Sequence, residues 1–140
     1  LIPHPLPHEA PMRRVTGIGG IFFKTADAPA LQAWYRRHLG IDLDPTYGHA
    51  AFTWTDADGT PTGGTTIFSI GPDDGKGFGP GGAPFMINFR VDDVRALHAA
   101  LAAEGCQVLE KIADSEYGVF ACVIDPAGNK VELWQPPAGQ

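Results

Sequence analysis

Apolar residues along the chain follow two rhythms, and the order in which those rhythms appear occurs twice. Val15 to Thr25 and Phe85 to Val91 are rich in Ile, Val and Phe, as strands are. Each then passes into a helical spacing. In the first half Asp27 is placed to cap a helix, Pro29 sits in its first turn, and Leu31, Trp34, Tyr35 and Leu39 form a stripe expected to pack in the core, with Gly40 closing it. In the second half Asp92 or Asp93 caps, Val94, Leu97 and Leu101 make the stripe, and Gly105 ends it. Strand-like segments follow both helices. The first half offers His49 to Thr55 and Thr65 to Ile70, joined by the hairpin signal Asp58-Gly59, with a third short strand near Leu43 to Thr46. The second offers Cys106 to Glu110, Gly118 to Asp125 and Lys130 to Gln135, the last two joined by the turn Asp125-Pro126-Ala127-Gly128-Asn129. The glycine- and proline-rich stretch Gly71 to Pro84 reads as a linker loop, long enough to act as a lid.

The two halves also match residue by residue at an offset of 66: Ile21 with Ile87, Phe23 with Phe89, Asp27 with Asp93, and Ala30, Leu31 and Ala33 with Ala96, Leu97 and Ala99. Such self-similarity points to duplication of one β-α-β-β-β unit. The expected organisation is an extended or disordered arm over residues 1–12 and one domain over 13–137, with modules at about 15–70 and 85–136 and the linker 71–84 between them. The arm carries His4 and His8, which are poor ligand candidates in such a segment, and Met12 is a candidate natural start.

Composition narrows the function classes. A chain of 140 residues with 44% hydrophobic content can bury a core without a disulfide or metal. A net charge of −6, with no run of Lys or Arg, argues against nucleic acid and against an anionic membrane surface. No stretch approaches the ~18 apolar residues of a membrane span, and the N-terminal segment lacks the order of a secretion signal. Cys106 and Cys122 lack metal-type spacing and are expected as small buried hydrophobes in a reducing compartment, which makes a cytoplasmic protein the expectation. The run Gly17-Ile18-Gly19-Gly20 lies in a strand and lacks the dinucleotide-binding order.

Three segments carry a resemblance to a known family. They are Asp27 through Trp34-Tyr35 to Leu39-Gly40, the strand Asn88-Phe89-Arg90-Val91-Asp92-Asp93, and Asp125-Pro126-Ala127-Gly128-Asn129-Lys130-Val131-Glu132-Leu133-Trp134. In this order, on a duplicated frame, they resemble the vicinal oxygen chelate superfamily of glyoxalase I, bleomycin-resistance proteins and extradiol dioxygenases. The resemblance implies an α+β fold in which two βαβββ modules form a curled mixed sheet around a cup, with helices outside. It also implies a homodimer and a divalent metal held by four side chains, two from each module. Those four positions fall on Gly20, Met86, Glu132 and about Thr66, of which only Glu132 is a good ligand for a hard cation. The expectation is therefore no resident metal or other cofactor, which removes the ion that glyoxalase and dioxygenase chemistry needs.

Alternation along the strands places Gly20, Phe22 and Lys24, then Met86, Asn88 and Arg90, then Lys130, Glu132 and Trp134 toward the cup. Glu132 is a candidate acid/base or ligand anchor, or else half of a salt bridge to Arg90 or Lys24. Glu116 and Tyr117, at the rim before a strand, are candidate catalytic groups, and a solvated turn is the plainer reading of them. Asn88, Arg90, Trp54, Trp134, Phe22 and His49 are candidate substrate-binding residues in an apolar cleft with a few placed polar groups. Two functions fit this pattern: a glyoxalase-, lyase/isomerase- or dioxygenase-related enzyme handling a small organic metabolite with a degraded metal site, and a metal-free protein that sequesters a drug or metabolite. A structural or regulatory protein that kept the fold and lost the site is a third.

Overall fold

The computed structural model describes residues 14–140; the N-terminal arm inferred above lies outside them. In chain order the elements are β1 (Val15–Thr25), α1 (Ala28–Leu39), β2 (His49–Thr55), β3 (Pro61–Pro72), β4 (Phe85–Val91), α2 (Val94–Ala103), β5 (Gln107–Val108), β6 (Ala113–Ser115), β7 (Gly118–Ile124) and β8 (Lys130–Gln135). Both helices start as the sequence dictates. The Asp27 carboxylate accepts from the Ala30 N–H at 3.1 Å, and that of Asp93 from Ala96 at 3.0 Å. Gly40 ends α1 in the left-handed conformation, φ 67°.

The strands form one mixed sheet in the order β2-β3-β1-β4-β8-β7-β5, with β6 added against β7, and the sheet is open rather than closed into a barrel. Within each module the first strand pairs in parallel with the last, β1 with β3 and β4 with β8. The modules join where β1 and β4 run antiparallel, and Ile21 lies opposite Ile87. The flanking pairs Gly20–Asn88 and Phe22–Met86 exchange with one another under the same 66-residue shift. A local twofold therefore passes through the Ile21–Ile87 pair, and the duplication read from the sequence is the symmetry of the sheet.

Each helix covers its own module's sheet through a separate apolar cluster. Under α2 lie Val91, Val94, Leu97, Val119, Ala121 and Leu133, with Phe89 and Val131 packed against them. Under α1 lie Ala28, Leu43 and Ile70, with Phe23, Leu31, Tyr35 and Phe68 around them. The odd residues of β4, β7 and β8 thus face a helix, which leaves the even ones for the concave face.

Several expectations are corrected. Leu43 to Thr46 is not a strand but leads into a turn over Pro45–Tyr47, where the Asp44 carboxylate takes the backbone N–H groups of Thr46 at 2.7 Å and Tyr47 at 2.9 Å. The module therefore has no extra strand there, and Leu43 instead plugs the core. The second module gains the short β6, and β3 begins at Pro61 rather than Thr65. Trp34 and Leu39 do not join the core, being 49% and 57% exposed, since Leu31 and Tyr35 fill the contact beneath α1. Cys106 is exposed and Cys122 half-buried, so neither is a core residue. The loop after β3 is fastened at its base: Lys24 donates to the Gly77 carbonyl at 2.9 Å and lies over the Phe78 ring, and Phe78 bridges to Ala83.

Candidate functional site

The concave face of the sheet holds a cavity of about 540 Å³ to which both modules contribute walls. From the first module come Gly19, Phe22, His49, Thr65 and Ile67; from the second come Asn88, Glu116, Tyr117, Phe120, Glu132 and Trp134, and Gln140 adds to the lining. All of its described lining comes from one chain, and it opens to solvent. No residue of the 71–84 loop lines it.

The polar centre of the cavity is the pair Asn88 and Glu132, which lie opposite each other where β4 and β8 run in parallel. Asn88 is only 2% exposed, and its Nδ2 donates to Glu132 Oε1 at 2.7 Å. The other amide oxygen, Asn88 Oδ1, is buried with no hydrogen-bond partner. Burial pushes the Glu132 carboxyl above the ordinary carboxylate range, against the smaller opposing pulls of the Asn88 hydrogen bond and the Lys130 charge. Cys122 is the residue opposite Glu132 on β7, and burial, then the Glu132 charge, raises its thiol, which favours the neutral form.

Around this pair the walls are aromatic. Phe120 and Trp134 stack with ring centroids 6.2 Å apart, and Trp134 Nε1 donates to the Tyr117 carbonyl at 2.8 Å, which fixes the indole against the rim. At the mouth Tyr117 is 68% exposed, and Tyr47 stacks on His49. Such a cleft, apolar with one placed polar pair, can hold a small molecule and exchange a proton with it through Glu132.

Of the residues singled out in the sequence, Phe22, His49, Asn88, Glu116, Tyr117, Glu132 and Trp134 share this cavity. Trp54 and Arg90 do not line it. The Arg90 guanidinium lies over the Trp54 ring and donates to the Gln140 carbonyl, beside an adjoining shallow depression. Neither Arg90 nor Lys24 pairs with Glu132, whose partner is Asn88, so the expected cross-cup salt bridge is absent among the described residues. Gly19, Thr65, Ile67 and Phe120 were not anticipated. Phe120 was within reach of the same alternation that gave Glu132, because it is an even residue of β7, as is Cys122 opposite Glu132.

The donor set does not fit the metal implied by the resemblance. Gly20 has no side chain, and Met86 offers a soft thioether. Thr66 is also misplaced: Phe22, 66 residues before Asn88, pairs with Ser69, which makes Ser69 the counterpart of Glu132. Thr66 instead accepts from Trp54 Nε1 and donates to the Ile18 carbonyl. The Asn88 N–H group also occupies a Glu132 oxygen, where a chelating site would present another acceptor. Among the described residues no cluster of three or more His, Cys, Asp or Glu side chains could hold an ion. Nor, among them, is any helix long and apolar enough to cross a membrane.

A curled mixed sheet of two duplicated strand–helix–strand modules, with a cavity to which both contribute walls, defines the vicinal oxygen chelate class. Residues 20–134 match the family described as the Glyoxalase-like domain, and the chain belongs to that family. Among solved structures it is similar to methylmalonyl-CoA epimerase from Mycobacterium tuberculosis, with TM-score 0.60 and 19% identity over 93% of this chain and 94% of that one. It is also similar to a glyoxalase/bleomycin resistance protein/dioxygenase superfamily member from Vibrio splendidus 12B01, with TM-score 0.53 and 14% identity over 82% of this chain and 95% of that one. At these identities the likeness concerns the fold alone. No curated protein matches the sequence.

Proposed function

We propose that this glyoxalase-like domain binds a small, largely apolar organic metabolite in its cup and exchanges a proton with it through Glu132, without a divalent ion. The observation that carries the reading is the half-buried Glu132 carboxyl, oriented by Asn88 at the centre of an aromatic cavity. A carboxyl shifted upward by burial works as acid or base nearer neutral pH than an ordinary one. Asn88 keeps one oxygen in place and leaves the other for the ligand. The alternative of pure sequestration needs no group whose proton affinity is altered, and nothing in the cavity favours it over proton exchange. The homodimer implied by the resemblance would not be required to complete the site, because one chain supplies both walls.

The test is proton exchange in D2O. The EDTA-treated protein is incubated with a panel of small carbonyl compounds, and solvent deuterium at carbons next to the carbonyl is followed by NMR. Exchange that survives EDTA and falls at least ~10-fold in Glu132→Gln supports the reading, a loss typical of removing a general acid or base. Exchange abolished by EDTA, or unchanged in the variant, refutes it, as does a panel on which the protein accelerates nothing.

A further inference from the structure

Two cavities meet at the mouth of the cup. The inner one, described above, shares His49, Ile67 and Tyr117 with an outer one, also of about 540 Å³, whose remaining wall is Tyr47. Three of these four side chains carry aromatic rings and the fourth is aliphatic, and no carboxylate, Lys or Arg lines the outer space. A surface of that kind complements a flat apolar group rather than a fixed charge.

Tyr47 and Tyr117 are also the two most exposed of the large apolar side chains among the described residues, at 71% and 68%. They come from different modules and belong to neither core cluster, yet they line the same space. Single apolar residues on a surface are ordinary, whereas two large rings converging on one concavity mark a place of contact. The backbone beneath each ring is fixed. Each tyrosine ends a turn that leads into a strand, β2 or β7, and is followed by a glycine with positive φ, Gly48 at 72° and Gly118 at 118°. The Gly48 carbonyl accepts from the Ile70 N–H at 2.9 Å, and the Tyr47 N–H is held by the Asp44 carboxylate. The Tyr117 carbonyl receives Trp134 Nε1, and the Tyr117 N–H donates to Ser115 Oγ at 3.2 Å. A β-carbon at Gly118 would strike the Gln135 carbonyl, so only glycine lets this turn lie so close to β8. Each module thus holds one exposed ring at the mouth on an anchored turn. Tyr47 is also backed by His49, their rings 14° from parallel with centroids 5.7 Å apart.

We propose that the mouth is a second binding subsite, which takes an uncharged aromatic ring at the outer end of an elongated ligand, and that Tyr47 and Tyr117 determine this preference. The inference rests on the cup being a ligand site, as proposed above. It adds the chemistry of the ligand's far end: a molecule with its carbonyl near Glu132 carries its ring outward to these two tyrosines.

Three matched ketones test it by amide-resolved NMR titration of the isotopically labelled protein: 4-methoxyacetophenone, 4-benzyloxyacetophenone and 4-(cyclohexylmethoxy)acetophenone. The first fills only the cup, the second adds an outer aromatic ring, and the third replaces that ring by a saturated, more hydrophobic one. The benzyl ether should bind at least ~10-fold tighter than the methyl ether, through added apolar burial, and at least ~3-fold tighter than the cyclohexylmethyl ether, through ring stacking. It should also shift the amides of Tyr47 and Gly48, which the methyl ether leaves unshifted. In the Tyr47→Leu/Tyr117→Leu double variant the preference for the benzyl over the cyclohexylmethyl ether should vanish. Equal binding of those two ethers by the native protein, a benzyl ether that leaves Tyr47 and Gly48 unshifted, or a preference that persists in the variant overturns the inference. Binding of the methyl ether with shifts at Asn88 and Glu132 then leaves the cavity reading standing. Failure of all three ketones to bind sinks both. The other occupant to test is a second copy of the chain. Sedimentation velocity should agree between the native protein and the double variant, and a smaller assembly in the variant assigns the two rings to a self-interface and overturns the inference. If the double variant does not fold, either single variant gives the same decision.

Discussion

Replacing Asn88 by aspartate changes one N–H2 group into an oxygen and leaves the shape of the side chain intact, which makes it a severe test of the Asn88–Glu132 pair. In the native protein Nδ2 donates to Glu132 Oε1 at 2.7 Å. Two ionised carboxylates at that separation would repel by about 6 kcal/mol at an effective dielectric constant near 20. The folded Asn88→Asp protein will instead take up a proton and share it between the two groups. The cost is then capped by the work of protonating an ordinary aspartate at the ambient pH. At about 1.36 kcal/mol per pH unit above a pKa of about 3.9, that cap is ~5 kcal/mol at pH 7.5 and ~1 kcal/mol at pH 4.5. The sign follows from linkage. The shared carboxyl is raised in the folded state, so its stability is fully present below the ordinary carboxylate pKa and lost as pH rises toward the folded value. Asn88→Leu differs. It forfeits a charge-assisted hydrogen bond of about 1.5–3 kcal/mol and also removes an unpaired buried oxygen that costs about 1–3 kcal/mol, so its net change should lie within about 1 kcal/mol. Urea unfolding of both variants at pH 7.5 and 4.5 measures these differences. If Asn88→Asp matches Asn88→Leu at pH 7.5, or loses stability on acidification, the two side chains are not a buried hydrogen-bonded pair.

Glu132→Gln should gain thermal stability relative to the native chain as pH rises from about 4 to 8, because the native carboxyl, raised by burial, loses its contribution as it ionises and the amide does not; parallel melting curves across that range would contradict this. Leu133→Ala, which empties a site only 4% exposed beneath α2, should cost about 2–5 kcal/mol in urea unfolding. Tyr117→Ala, at an exposed rim position, should alter stability by no more than about 0.5 kcal/mol, and any larger loss would place Tyr117 in the framework of the fold. Ni, Zn, Mn and Fe(II) should each leave the melting temperature unchanged to within about 1 °C, and a saturable rise with any of them would restore the chelate.

How far the site could be read from the sequence depended on how regular each strand is. β4 and β8 pair without interruption from Ile87–Val131 to Arg90–Trp134, so counting every second residue put Asn88, Glu132 and Trp134 on the face where the cavity lies. Arg90 shows the limit of that count, because face alone does not say whether a long side chain folds inward or, as here, over a neighbouring ring. The misses collect where pairing slips. β2 shifts register against β3 between Thr53 and Thr55, and Trp54, expected in the cup, lies at that slip. β1 shifts between Ile18 and Gly20, and Gly19 rather than the expected Gly20 lines the cavity. The first strands of the two modules correspond at 66 residues and the last strands at 63, so a single offset misassigned Thr66.

The same slips bear on function. Duplication alone would give two equivalent halves, each offering the cup the same chemistry. Here the second module, regular in its central pairing, supplies Asn88 and Glu132, while the corresponding positions of the first are Phe22 and Ser69. The second module presents the Asn88–Glu132 pair, and the first contributes the Phe22 ring with Gly19, against whose backbone Asn88 and Trp134 pack. A symmetric chelate needs matching donors from both halves. An asymmetric pocket instead sets one polar contact against an apolar wall and so fixes which end of a ligand lies innermost. That asymmetry is the physical ground for expecting proton exchange at Glu132, the carboxyl that Asn88 orients, rather than at matched groups from both halves.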